Sequence, residues 1–256
     1  MKQSIADKKS QTNRISKKVI TTAVTVIFWI ALWWFASILI GKEVVLPSPD
    51  KVFIRLLSDI ITPKFWLITA ISLLRVIIGF VFALAIGFAI SIAAFFCSPF
   101  RTAFTPIISV LRSVPIASFI LFFYMWLSTS SIPIVSAFIV VLPVVWENVL
   151  TGLENTDKGL IEVCKIYNIH GLARFKTLYI PTLKPYIHAT LMSSMGMAWK
   201  AAVAAEVLTT PRNSIGKELY GAKVYLDSVD LFAWTIVVIV LSYLIESFIK
   251  RRLAKK

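Results

Sequence analysis

Between Val19 and Ile249 the chain is built from long apolar runs, with its charges gathered between them. A helix crossing the roughly 30 Å hydrocarbon core needs about 20 mainly apolar residues. Six runs are read as spans: Val19–Gly41, Val76–Ser98, Val114–Leu127, Ile132–Leu150, Tyr186–Leu208 and Leu231–Ile249. The expected fold is all-α, a polytopic membrane protein with six transmembrane helices. Composition agrees, with 58% hydrophobic and only 16% charged residues, against about 25% charged in soluble domains. A net charge of +14 would suggest nucleic acid only if it formed a basic face on a soluble domain. Here the bases separate apolar runs, so no nucleic-acid partner is expected.

Charge placement orients the spans. Apart from Lys200, inside the fifth run, Lys and Arg divide 18 to 8 between the two sides. The richer side is cytoplasmic by the positive-inside rule, which places both termini there. The chain then divides into a basic cytoplasmic N-terminus (1–18), a first span (19–41) and an extracytoplasmic segment (42–75). A five-helix core (76–249) follows, with a cytoplasmic loop at 151–185, and then a basic tail (250–256). The first run is too long for a signal peptide and no A-x-A site follows it.

Gly79, Ala83, Gly87 and Ser91 recur every four residues in the second run. Such a stripe lets helices approach closely in lipid, either within the chain or between two copies. Ser194, Ala198 and Ala202 form a second stripe in the fifth run. Pro115 is expected to break the helix near the start of the third.

The loop "EVCKIYNIHGLARFKTLYIP" (Glu162–Pro181) is polar for this chain. Asp157 to Ile166 suits a short helix with Thr156 or Asp157 as N-cap. Asn168 tolerates the left-handed region and can end it. Gly171 to Tyr179 suits a second short helix, and Pro181 and Pro185 mark the approach to the fifth span. Glu162, Leu178 and Pro181 resemble the "EAA" loop of binding-protein-dependent ABC importer permeases. Val163 and Cys164 stand for its two alanines, Asn168 for its glycine and Ile180 for its leucine. "VLPSPDKVF" (Val45–Phe53), "SLLRVIIGFVFALAIG" (Ser72–Gly87), "LRSVP" (Leu111–Pro115) and "AWKAAVAAEVL" (Ala198–Leu208) resemble, in order, the nitrate/sulfonate/taurine-type members.

The resemblance implies a type I ABC importer permease acting as a homodimer in the cell membrane. Two separate ATPase subunits would bind below it and a solute-binding protein outside. The EAA-type coupling helix would lie between spans four and five. Asn168, Ile169, His170, Gly171 and Arg174 would meet the ATPase, Glu162 would brace the loop internally and Pro181 would fix its exit. Arg174 and Lys176 would face acidic groups of the ATPase or anionic lipid headgroups. The cargo would be a small anion such as a sulfonate or nitrate, or else a vitamin precursor. A stand-alone secondary carrier is the rival of a different class. It would call for an internal repeat, and none is evident.

Neither Gly-Lys pair fits a P-loop, so ATP hydrolysis is expected on another subunit and this chain is not read as an enzyme. No cofactor is implied. His170 and His188 are read as interfacial residues and not as metal ligands. Ionisable residues within a span suggest function: Lys200 and Glu206 are candidates for the pathway. Six residues apart, they lie roughly 120° apart around a helix. Glu206 is expected near the outer end, within reach of water. Lys200 either lines the conduit and favours an anionic solute, or pairs with an acid on a neighbouring helix, or snorkels. Trp199 either packs or shapes the cavity.

Overall fold

A computed structural model describes the backbone of residues 2–254 and the side chains of 21–253. The basic N-terminal stretch 1–18 and Lys255 and Lys256, on which part of the orientation rests, lie outside the residues described at side-chain level. The helices are α1 (Lys2–Ile40), α2 (Pro49–Ile60), α3 (Pro63–Phe96), α4 (Ser98–Ser113), α5 (Ile116–Phe123), α6 (Ile132–Glu154), α7 (Lys158–Ile166), α8 (Gly171–Arg174), α9 (Ile180–Thr209), α10 (Ile215–Val224) and α11 (Ser228–Ala254). No strand occurs among the described residues. Two compact units emerge, Met1–Ile61 with Ala222–Ala233 and Thr62–Gly221 with Trp234–Lys256.

In the first unit the chain after α1 folds back on it. Trp33 Nε1 donates to the Pro47 carbonyl at 3.0 Å, and Ser37 Oγ to the Leu46 carbonyl at 3.0 Å. Trp33 stacks on Phe232 with centroids 5.7 Å apart. Arg55 Nε donates to Asp230 Oδ1 at 3.0 Å. The Leu46–Pro49 segment is thereby tied to α1.

The second unit is organised by α6, which packs along α3 on one side and α9 on the other. The small-residue stripe of α3 explains the first contact. Gly79, Ala83, Gly87 and Ser91 are all buried. A Cβ on Gly79 would lie 2.3 Å from the Ile134 carbonyl oxygen, and one on Gly87 would lie 2.8 Å from Val145. The stripe therefore serves packing within the chain. Ser194, Ala198 and Ala202 of α9 are buried likewise.

Three expectations are corrected. α3 begins at Pro63, capped by Thr62, whose side chain accepts from the Phe65 amide. The segment 42–75 therefore contains α2 and the first turns of α3. The run expected as the third span, Val114–Leu127, holds only the short α5, which meets α4 at a bend of 101°. Val114 and Pro115 are both extended there, since proline keeps the preceding residue out of the helical region. α5 has only eight residues. Finally, the second loop helix and the fifth span are one continuous run from Gly171 to Thr209, joined by a π turn at Phe175–Tyr179. Pro181 has no N–H to donate back to Thr177 and its ring crowds that carbonyl. A widened turn relieves the conflict without ending the helix.

Among the described residues, four helices are long and apolar enough to cross a membrane, or five if α4–α5 is counted as one bent span. α9, with 30 residues, is long enough but is not among them. Lys200 and Glu206 lower its apolar character.

Candidate functional site

The α7–α8 hairpin is built as its residues dictate. Asp157 caps α7, its side chain accepting from the Gly159 amide at 2.7 Å. At the other end Asn168 has φ 50. Its amide donates to the Lys165 carbonyl at 3.1 Å and the Ile169 amide donates to Cys164 at 2.8 Å. These two bonds around a left-handed residue form a Schellman motif, so α7 stops at Tyr167. His170 is extended and Gly171 has φ +55, which starts α8 in a new direction.

Beneath the hairpin lies an aromatic cluster. The Tyr179 ring meets Phe95 at 5.6 Å, Phe96 at 5.9 Å and Phe175 at 6.1 Å. The Arg174 guanidinium lies 5.7 Å over the Tyr179 ring, a cation–π contact, so Arg174 stacks inward. The outer face is the reverse: Ile166, Tyr167 and Leu172 are 77%, 74% and 73% exposed, and Leu160 and Val163 are exposed too. Glu162 is also exposed, with no ion-pair or hydrogen-bond partner among the described residues. It does not brace the loop, because α7 turns this face outward and its buried contact is Cys164. Pro181 is exposed within the continuous helix.

Glu206 is 1% exposed, so water does not reach it. Its Oε2 accepts from Ser72 Oγ at 2.8 Å and from the Gly216 amide at 3.2 Å, and its Oε1 accepts from Arg75 at 3.0 Å. Arg75 also donates to the carbonyls of Arg212 (2.9 Å) and Asn213 (3.3 Å). Ser72 Oγ accepts from the Ile215 amide at 3.0 Å. The carboxylate thus joins α3, α9 and the 210–216 turn. Both of its oxygens are engaged, as a buried charge requires. Gly216 is needed there, since a Cβ would fall 2.3 Å from the Glu206 backbone.

Trp199, 0% exposed, packs and donates from Nε1 to the Val238 carbonyl at 3.2 Å. Lys200, the next residue, is turned about 100° around α9 and is exposed. Ser193, Met197, Lys200, Ala204 and Leu208, spaced by three and four, form one exposed stripe on this helix. Charges flank it on both sides. Met197 lines a cavity of about 240 Å³ with Arg112 and Glu147, which pair with each other. Lys200 lines another of about 310 Å³ with Glu246. The sequence reading missed Arg112, Glu147 and Glu246. The rule that singled out Lys200, an ionisable residue within an apolar run, would have found both acids.

The family described as "Binding-protein-dependent transport system inner membrane component" matches residues 85–255. The chain belongs to this family. It is 24% identical over 224 residues to the aliphatic sulfonates transport permease protein SsuC of Bacillus subtilis (strain 168), covering 86% of this chain and 80% of that one. It is 31% identical over 154 residues to the nitrate import permease protein NrtB of Leptolyngbya laminosa, covering 57% and 52%. It is 23% identical over 244 residues to the taurine transport system permease protein TauC of Escherichia coli (strain K12), covering 91% and 86%. The chain is therefore a multi-pass ABC importer permease of the nitrate/sulfonate/taurine type. Within this permease the matched region takes in the hairpin, the α9 stripe and both charged cavities, but not Ser72 and Arg75.

Proposed function

We propose that the permease is the transmembrane subunit of an ATP-driven importer that takes a small organic or inorganic anion from a solute-binding protein into the cytoplasm. The α7–α8 hairpin docks on a separate ATPase subunit. Two copies of the permease form one pathway, each with its ATPase. In this reading the chain crosses the plasma membrane six times, with α4–α5 as one bent span and α9 as another, and both termini are cytoplasmic.

The observation that carries the reading is the hairpin's outer surface. Ile166, Tyr167 and Leu172 are large, apolar and exposed on a segment held rigid by the Asn168 turn and the aromatic cluster. Burying each fully would contribute about 1.5–3 kcal/mol, which suits a protein partner. Asn168, Ile169, His170 and Gly171 shape this surface. Arg174 supports it from below through Tyr179 and does not reach toward the partner, and Glu162 stands on its rim. Lys200 lies on the stripe that faces the pathway, whereas Glu206 and Trp199 support the helix that carries it. An exposed lysine within a span suits a water-filled conduit better than lipid.

The test is co-purification with an ABC ATPase subunit expressed alongside the permease, followed by ATP-driven uptake in proteoliposomes. Leu172→Glu with Ile166→Glu should lose the ATPase and uptake while the permease still folds. Uptake driven by an ion gradient without any ATPase would overturn the proposal in favour of a secondary carrier.

A further inference from the structure

A groove of about 720 Å³ lies among α3, α9 and α11, within the roughly 300–1,000 Å³ of small-molecule sites. Its walls are Ile77 and Phe80 of α3, Leu191 and Met195 of α9, and Leu244 and Phe248 of α11. Phe80 and Met195 are buried beneath it, whereas Ile77, Leu244 and Phe248 are exposed. It is an open apolar trough beside a helix long and apolar enough to cross a membrane.

One edge of the trough is polar. Tyr243, Ser247 and Arg251 recur every four residues, so they share one face of α11, and all three line the groove. Hydroxyls in other helices fold back onto the carbonyl four residues earlier, as at Ser109, Ser136, Thr190 and Ser194. Ser247 makes no such bond, and neither Tyr243 nor Arg251 has a hydrogen-bond or ion-pair partner among the described residues. The Arg252 guanidinium lies 5.3 Å over the Phe248 ring, which brings a second cation to the groove wall. Glu246, the nearest acid on α11, is turned toward α9, where a Cβ on Gly196 would lie 2.6 Å from its Oε1. No acid lines the groove.

An apolar trough that ends in unpaired donors and cations complements a molecule with long apolar chains and an anionic head. We propose that this groove holds one anionic phospholipid, its chains along the α3 and α9 walls and its phosphate on Arg251 and Ser247. Tyr243 offers a donor one turn deeper, where the ester carbonyls follow the phosphate. Arg251 stands just past the apolar run of α11, at the level of the headgroups, and basic pockets between spans recognise such heads. A second copy docked through the same face would set Arg251 against its own counterpart, with no acid in the groove to offset it. Bound there, the lipid pins α11 to α3 and α9, so it stabilises the fold as well as filling the groove. The inference goes beyond the transport reading: it needs α11 to cross the membrane and nothing of the cargo or the ATPase.

The experiment offers the full chain, in mild detergent, equal amounts of dioleoyl-phosphatidylglycerol and dioleoyl-phosphatidylcholine. Retained lipid is counted by native mass spectrometry. One phosphatidylglycerol per chain is expected, favoured at least about fivefold, the worth of one cation at a membrane surface. R251Q should remove the preference. K250Q deletes a neighbouring charge that does not line the groove and should keep it. S247A should weaken retention of both lipids about fivefold, because both carry the phosphate. Phosphatidylglycerol should raise the unfolding temperature of the wild type and of K250Q, and leave that of R251Q unmoved. The same melts identify a variant that has merely lost its fold; if R251Q is one, S247A carries the test, since it leaves every charge in place. Equal retention of the two lipids, retention of neither, or full retention by S247A would overturn the proposal. So would a loss in K250Q as large as in R251Q, which would assign the preference to general attraction by the basic tail.

Discussion

The Glu206 clamp and the α7–α8 hairpin are opposite solutions to placing polar residues in an apolar protein. The clamp hides a charge and surrounds it with donors: Ser72, Arg75 and the Gly216 amide take up both carboxylate oxygens. The hairpin turns large apolar side chains outward and hides its arginine over Tyr179. The first arrangement is complete within one chain and the second is not. In the proposed reading this difference separates residues that hold the bundle together from residues left for a partner, and substitution can break it from either side.

The largest effect is expected at the clamp. Removing one partner of a buried ion pair leaves the other charge unpaired, at a cost of about 3–5 kcal/mol. Glu206→Ala and Arg75→Ala should each sharply lower the unfolding temperature in detergent. The double variant Arg75→Met with Glu206→Met should be more stable than either single alanine variant, because no orphaned charge remains. If Glu206→Ala unfolded like the wild type while uptake failed, the clamp would belong to the pathway and not to the scaffold.

Next comes the α3–α6 contact. A side chain at Gly79 meets the Ile134 carbonyl, a backbone atom that cannot rotate away. Gly79→Leu should therefore cost about 1–3 kcal/mol or more, seen as lower yield and a lower unfolding temperature. Tolerance of leucine would mean that α3 and α6 can separate, as in a pathway whose width changes.

How far these regions were legible in the sequence follows from where their partners lie. The α3 stripe could be read because close packing in lipid leaves small residues four apart on a single helix. Asn168 could be read because its job is local, an αL turn within five residues of the bonds it allows. The clamp could not be read. Glu206 was visible as an acid in a span, but its partners Ser72 and Arg75 lie more than 130 positions away. The donors of the 210–216 turn exist only after Thr210 and Asn213 adopt positive φ. The break between hairpin and span was misread because Pro181 and Pro185 look like helix stops, and a π turn absorbs the first. The short α5 shows the other outcome, where Pro115 does end a helix. Tyr179, in the π turn before Pro181, packs against Phe95 and Phe96, whereas Pro115 lies between two helices bent by 101°.

The smallest expected effect is also the most discriminating, and it concerns Asn168. A β-branched residue in the left-handed region costs roughly 1–2 kcal/mol. Asn168→Val should therefore loosen the hairpin, seen as faster amide exchange over α7 and α8 with the bundle unchanged. Asn168→Gly should change stability by less than about 0.5 kcal/mol, since glycine adopts this conformation freely but loses more entropy on folding. If uptake survives glycine and falls with valine, only the backbone angle at this position matters. If uptake falls with glycine while amide exchange is unmoved, the Asn168 side chain itself touches the ATPase. The docking surface would then extend from the apolar face of α7 across the turn.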